Sequence, residues 1–299
     1  MAVRVVTDST ASLTAEEIQS NNIKVVTLFL VSDGKATPEV EIKTDQYYAT
    51  LNDFDKLPTS AQPTPASFLE AFTEILDAGD DVLAIFTASG LSGTYEGARM
   101  IASQIEAERP DAKGRISIVD STSNGRALAF PVLDAARAAA EGADLAACTE
   151  VAEYTASCTR FVFAPKSLEH LRRGGRIGRA SALLGTALKL VPILGPDKKD
   201  GTVHTYGKVR TLPRAMDKIK DIMMEDAQKY GGLKAACVHN IAEIELANEW
   251  NESTITPLVK DQLGGAPVPV MPVPPVIGTH VGPAIGIAWV VNKPLPQLT

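Results

Sequence analysis

Asp81-Val82-Leu83-Ala84-Ile85-Phe86-Thr87, continued by Ala88-Ser89-Gly90-Leu91-Ser92-Gly93-Thr94, is the stretch on which the fold turns. The first seven residues have an apolar centre and read as a strand buried on both faces. A loop of glycines and hydroxyl-bearing residues follows, and the next pattern predicts a helix over 95–107. The arrangement recurs as strand 115–120, loop Ser121-Thr122-Ser123-Asn124-Gly125 and helix 126–140. It also opens the chain as strand 2–7, Asp8-Ser9-Thr10, and a helix over about 14–20 that Ser12 is expected to cap. Three such units predict an α/β layer around a largely parallel sheet. Ligands in these folds sit beyond the C-terminal ends of the strands, where all three polar loops lie.

Outward from these units, 24–31 reads as one apolar strand, Asp33-Gly34 as a turn and 44–52 as a helix. Pro63 and Pro65 stiffen a polar segment before a helix over 66–77, and 145–157 reads as a linking helix. The pattern then changes, which divides the chain into an N-terminal α/β domain, 1–158, and a C-terminal mixed α/β domain, 159–299. In the second part we expect strand 160–164, a short helix 167–172, a basic glycine turn and helix 180–188. Strand 191–194, a polar hairpin loop at 197–201 and an alternating strand 202–209 come next. Helices over 211–229 and 241–262 flank strand 233–239, and Gly278-Thr279-His280 divides two strand-like pieces within 266–291.

The 299 residues are 45% hydrophobic, enough for one or two cores, and give no reason to expect disorder. Twenty-nine basic against 36 acidic side chains leave a net charge of −7, which argues against a nucleic-acid partner. Val281 to Val291 is too short and too rich in glycine for a membrane span and suits a buried strand. The start of the chain runs straight into a strand without the charged and apolar regions of a signal peptide. Cys148, Cys158 and Cys237 fit no metal spacing and read as small buried hydrophobes, so the expected address is the cytoplasm.

The 89–94 loop serves two readings equally: neutral donors at a helix start that hold a carboxylate or phosphate, or ordinary helix capping. It is neither a dinucleotide fingerprint nor a Walker loop, and it lacks the Gly-x-Ser-x-Gly elbow. Thr59, Ser60, Gln62 and Thr64 add donors between prolines, with an exposed loop as the bland alternative. Asp8 and Asp120 stand at strand ends, where they serve magnesium binding or capping alike. Arg172, Arg173, Arg176 and Arg179 cluster around glycines in an acidic chain, suited to an anionic headgroup, a partner's acidic face or domain-bridging salt bridges. The four histidines form no metal motif; His280, before Val281-Gly282-Pro283, is placed to present an imidazole from a rigid turn.

Taken together, these stretches resemble the DegV family of fatty-acid-binding proteins. The likeness is carried, in order, by Val5-Val6-Thr7-Asp8-Ser9-Thr10, Ser60-Ala61-Gln62-Pro63, Ser89-Gly90-Leu91-Ser92-Gly93-Thr94-Tyr95 and Val119-Asp120-Ser121. It continues through Leu171-Arg172-Arg173-Gly174-Gly175-Arg176-Ile177, Gly207-Lys208-Val209-Arg210-Thr211 and His280-Val281-Gly282-Pro283. The resemblance implies a two-domain DegV-like fold holding one long-chain fatty acid. Its carboxylate would lie by Ser60 and Ser92 with His280 close by, and Gln62, Gly93, Thr94 and Gly282 would complete the ligand-binding set. The C-terminal domain would contribute His280 and the acyl tunnel. Arg172, Arg173, Arg176 and Arg210 fall where the family meets the headgroup or its kinase partner.

The resemblance implies a non-catalytic chain with neither metal nor cofactor: a substrate-binding subunit that presents the carboxylate to a separate kinase. ATP and magnesium would belong to that partner, and the acyl phosphate would feed bacterial phospholipid synthesis, with membrane contact at most transient. Two departures stand out. Ala61 replaces the second hydroxyl of the family's Thr-Ser-Gln-Pro, and Ala284 follows Gly282-Pro283 where the family carries glycine. A tail of about fifteen methylenes supplies up to roughly 12 kcal/mol at ~0.8 kcal/mol each, before the costs of binding. The competing reading is a small-molecule phosphotransferase or hydrolase using Asp8 and Asp120 with a metal; a structural adaptor without an enclosed cavity ranks third.

Overall fold

The computed structural model describes residues 1–51, 57–183 and 190–297. In chain order the strands are β1 Val3–Asp8, β2 Lys24–Val26, β3 Phe29–Ser32, β4 Lys35–Pro38, β5 Thr59–Ala61, β6 Asp81–Phe86 and β7 Ile116–Asp120. They continue as β8 Thr159–Pro165, β9 Val191–Pro196, β10 Val203–Val209, β11 Leu233–Ile241, β12 Val270–Pro272 and β13 Ala284–Val291. The α-helices are α1 Ala15–Ser20, α2 Thr44–Ala49, α3 Pro65–Asp77, α4 Thr94–Glu108, α5 Arg126–Ala140 and α6 Leu145–Cys158. After these come α7 Glu169–Arg173, α8 Leu212–Lys229, α9 Ile244–Trp250, α10 Thr256–Val259 and α11 Pro275–Val281.

Every residue of β6 is buried, as its unbroken apolar run predicts, and the strand sits inside a parallel sheet of order β2-β1-β6-β7. Alternation sends Val82, Ala84 and Phe86 toward α3 and α4, and Leu83 and Ile85 toward α5 and α6. A second, mixed sheet has the order β10-β9-β8-β13-β11-β12, with only β11 and β12 parallel. The glycine-bearing run near the C-terminus forms its central strand β13, buried throughout. A small antiparallel sheet, β4-β3-β5, closes one side. The polar loops after β6 and β7 dock on the second sheet: Gly90 N–H donates to Asp200 O at 2.9 Å, and Arg126 N–H to His239 Nε2 at 2.9 Å.

Several local expectations are corrected. Thr14, not Ser12, caps α1, because Glu17 three residues on completes a reciprocal capping box with it. The apolar run 24–31 is two strands in different sheets: Ser9 Oγ accepts from Leu28 N–H at 2.9 Å and Glu39 N–H donates to Leu28 O at 2.8 Å, so neither group is free to extend a ladder. The helix expected over 241–262 starts at Ile244 and loosens into a π turn, Asn251–Ile255, just before Pro257 in α10. Proline lacks the amide hydrogen that a regular turn needs. The divider at 278–280 is part of helix α11, which starts at Pro275. Of the helix expected over 180–188, Gly178–Leu183 is 3-10 turn and 184–189 lie outside the described residues. The helix expected over 44–52 ends at Ala49, and its last position also lies outside them.

Candidate functional site

The C-terminal ends of β1 and β6 face the second sheet across a partly open cavity, about 800 Å³ of empty space with the solvent at its mouth included. Phe161, Phe163, Leu171, Val276, Ile277 and Ile285 give it a mainly apolar lining. Ser60, Ser92, Arg176 and His280 also line it, brought from β5, the start of α4, the turn after α7 and the last turn of α11.

Ser60 is the middle residue of β5 and pairs with Leu30 of β3. Strand alternation turns it inward and leaves Thr59 and Ala61 exposed. Its hydroxyl lies 2.7 Å from His280 Nε2. The His280 ring packs against the backbone of Gly174 so closely that a Cβ there would collide with it. His170, whose Nδ1 lies 3.1 Å from Thr279 O, packs in turn against Gly282, which takes the left-handed conformation at the end of α11. Burial, with the neighbouring Arg176 and His170 charges, pulls the His280 pKa down to about 4. The imidazole is therefore neutral at pH 7.

Arg176 donates through Nη1 to Gly174 O at 2.7 Å and through Nε to Leu91 O at 3.4 Å, and has no carboxylate partner among the described residues. Ser92 Oγ lies 2.8 Å from Thr94 Oγ1 at the start of the 15-residue helix α4, whose positive end favours an anion. Thr94 is buried, and Gln62 is exposed with its amide lying against Gly93, so these residues brace the wall. Arg172 is exposed and paired with Glu169 at 2.6 Å; Arg173 and Arg210 are exposed. Of the four headgroup or partner candidates, Arg176 alone lines the cavity. Ala284 lines it as well, and Ala61 does not.

Asp8 and Asp120 stand elsewhere in the chemistry. Asp8 is buried, which raises its pKa, and accepts from Thr10 N–H and Thr87 N–H at 2.9 and 2.8 Å. Asp120 accepts from Thr122 N–H at 2.8 Å and Ser89 N–H at 3.2 Å. Both carboxylates are spent on shaping the strand-end loops. No group of three or more metal-ligating side chains occurs among the described residues, and no helix there is long and apolar enough to cross a membrane.

Three kinds of residue escaped the sequence reading. Asn124 and Asn240 line the cavity: Asn124 belongs to a recognised polar loop, whereas Asn240 is the penultimate residue of β11 and carries no local sign of its role. His239 is buried and lines it too; burial lowers its pKa to about 4. Glu39 is 4% exposed, receives Ser9 Oγ–H at 2.5 Å and the Val276 N–H of α11 at 2.7 Å, and burial pushes its pKa up to about 7.

Comparison with known proteins gives a consistent result. The model of the DegV family, described as uncharacterised proteins, matches residues 2–292. A DegV domain-containing protein of Clostridium perfringens is 37% identical over 290 residues, covering 97% of this chain and 99% of its own length. One of Clostridium acetobutylicum is 35% identical over 294 residues, covering 98% and 99%. Among solved structures, the chain resembles DegV of Bacillus subtilis, described as a fatty acid binding protein, with a TM-score of 0.82, 28% identity and coverage of 97% and 99%. It also resembles a fatty-acid-binding DegV family protein of Thermus thermophilus, with a TM-score of 0.80, 27% identity and coverage of 97% and 100%.

Proposed function

This chain belongs to the DegV family, and on that premise we propose that it binds a long-chain fatty acid and hides the tail in the cavity. The observation that carries the reading is Arg176: a cation on the wall of a mainly apolar cavity, without a carboxylate partner among the described residues. A half-buried charge of that kind favours a counter-anion, and a fatty acid supplies one attached to an apolar tail. Ser60 and Ser92 then donate to the carboxylate, neutral His280 donates Nε2–H to Ser60 Oγ and so orients that hydroxyl, and Gln62, Gly93, Thr94 and Gly282 keep the donors in place. The relatives of known structure described as fatty-acid-binding support the same ligand.

We further propose that the chain is the acyl-binding subunit of a fatty acid kinase. In that role the bound carboxylate attacks the γ-phosphate of ATP held with magnesium by the partner, releasing ADP and leaving an acyl phosphate for phospholipid synthesis. Exposed Arg172, Arg173 and Arg210 are the proposed partner contacts, and the use of ATP places the pair in the cytoplasm. The proposed domains, 1–158 and 159–299, are supported by the chain order of the two larger sheets, which meet at the α6–β8 junction.

Native mass spectrometry before and after solvent extraction tests the binding. A stoichiometric increment matching a C14–C20 fatty acid, reduced in Ser92→Ala, is expected. Protein that stays empty after incubation with such acids overturns the reading. Pull-down with a candidate kinase, using an Arg172/Arg173 double alanine variant, tests the partner separately.

A further inference from the structure

Two asparagine side chains line the cavity without a hydrogen bond to any described residue. Asn124 and Asn240 are 8% and 2% exposed, and Asn124 Oδ1 and Asn240 Nδ2 are buried polar atoms with no partner among the described residues. Their polar neighbours on the same lining are occupied. Thr10 Oγ1–H donates to Asp8 at 2.5 Å and Thr87 Oγ1–H to Ser123 O at 3.3 Å. His239 accepts from Arg126 N–H at 2.9 Å through Nε2, and its Nδ1 lies 3.0 Å from Met271 O. Among these five residues, unspent hydrogen-bonding capacity is thus concentrated in the two amides, one offering an acceptor and the other a donor.

An unpaired amide is costly in an interior, and a cavity built solely for a hydrocarbon tail is served better by leucine at both positions. Asn124 stands in the loop before α5, and Asn240 on β11 opposite Ile285 of β13. The headgroup wall is built from β5, α11 and the starts of other segments. The polar lining of the cavity therefore comes from two sets of elements. Resting on the fatty-acid reading above, we propose that the preferred ligand is a hydroxylated long-chain fatty acid, its chain hydroxyl held by Asn124 and Asn240. A hydroxyl fits this pair because it both donates and accepts. Either orientation of each amide leaves the argument unchanged, since neither end of either group has a hydrogen bond to a described residue.

Delipidated protein is titrated calorimetrically with hexadecanoic acid, ω-hydroxyhexadecanoic acid, octadecanoic acid and 12-hydroxyoctadecanoic acid. At least one hydroxy acid should bind about ten- to hundred-fold more tightly than its parent. In Asn124→Leu and Asn240→Leu that ratio should fall to within about two-fold. Hydroxy acids no tighter than their parents overturn the inference, with ordered water then supplying the asparagines' partners, and leave fatty-acid binding intact. A preference that survives both leucine variants also overturns it. Failure of all four acids to bind overturns the fatty-acid reading as well. Should a leucine variant not fold, the ratio measured on the unaltered protein still decides.

Discussion

Replacing Arg176 with leucine separates recognition of the carboxylate from burial of the tail. A guanidinium has five N–H donors, and Arg176 commits two of them, to Gly174 O and Leu91 O. The remaining three have no hydrogen bond to a described residue and can meet an anion at the polar wall. A hydrogen bond to a charged group contributes about 1.5–3 kcal/mol, so the variant should bind hexadecanoic acid roughly 10- to 150-fold more weakly. Hexadecanol has the same tail but no charge and should change by less than about three-fold. Displacement of a fluorescent fatty acid, read for both ligands on both proteins, supplies the four constants. The loss of two donors to loop carbonyls costs apo stability too, which thermal unfolding reports independently. Equal weakening of acid and alcohol would mean that Arg176 only shapes the cavity. An unchanged affinity for the acid would refute its role altogether.

Ser60→Ala should weaken acid binding about five- to twenty-fold, whereas Ala61→Ser should leave it within two-fold, because residue 61 faces outward on β5; the same displacement assay would contradict the alternation if Ala61→Ser gained affinity. In proton NMR, His280 should stay neutral on acidification until about pH 4; a midpoint near 6.5 would show a solvated ring. Its lowered pKa makes the unfolded chain the better proton acceptor between about 6.5 and 4, so this group's contribution to stability falls as pH falls through that window. Glu39 acts in the opposite sense: with its folded pKa raised from 4.5 to about 7, its contribution is largest in acid and is lost as pH rises through that interval. Glu39→Gln should therefore gain stability relative to the parent, by roughly 3 kcal/mol, between pH 4.5 and 7.5, as read from urea unfolding; a pH-independent difference would show that the carboxyl is not held protonated.

Much of the fold was legible because it is written in short-range patterns. The strand–loop–helix units follow from periodicity and from turn residues a few positions apart, and β6, with α4 after it, lies within a residue or two of where those patterns put it. The motif positions also indicated which hydroxyls, which imidazole and which arginine run to watch. Where the reading failed, the deciding interactions were distant. Leu28 is turned between sheets by Ser9 and Glu39, and the apolar segment at 275–281 becomes a helix with its first amide on Glu39, 237 residues away in sequence.

What the sequence by itself determined is the parallel α/β layer, the change to a mixed α/β pattern after about residue 158 and the polar loops at strand ends, because local propensity and periodicity encode them. Only the tertiary structure decided that Arg176 is the arginine on the cavity wall, that His280 is neutral beside Ser60 and that Asn124 shares a cavity with Asn240. The physical reason is that burial and hydrogen-bond partnership belong to the packed chain. They arise when strands distant in sequence, such as β5 and β13, close around one space, and no window of neighbouring residues contains them.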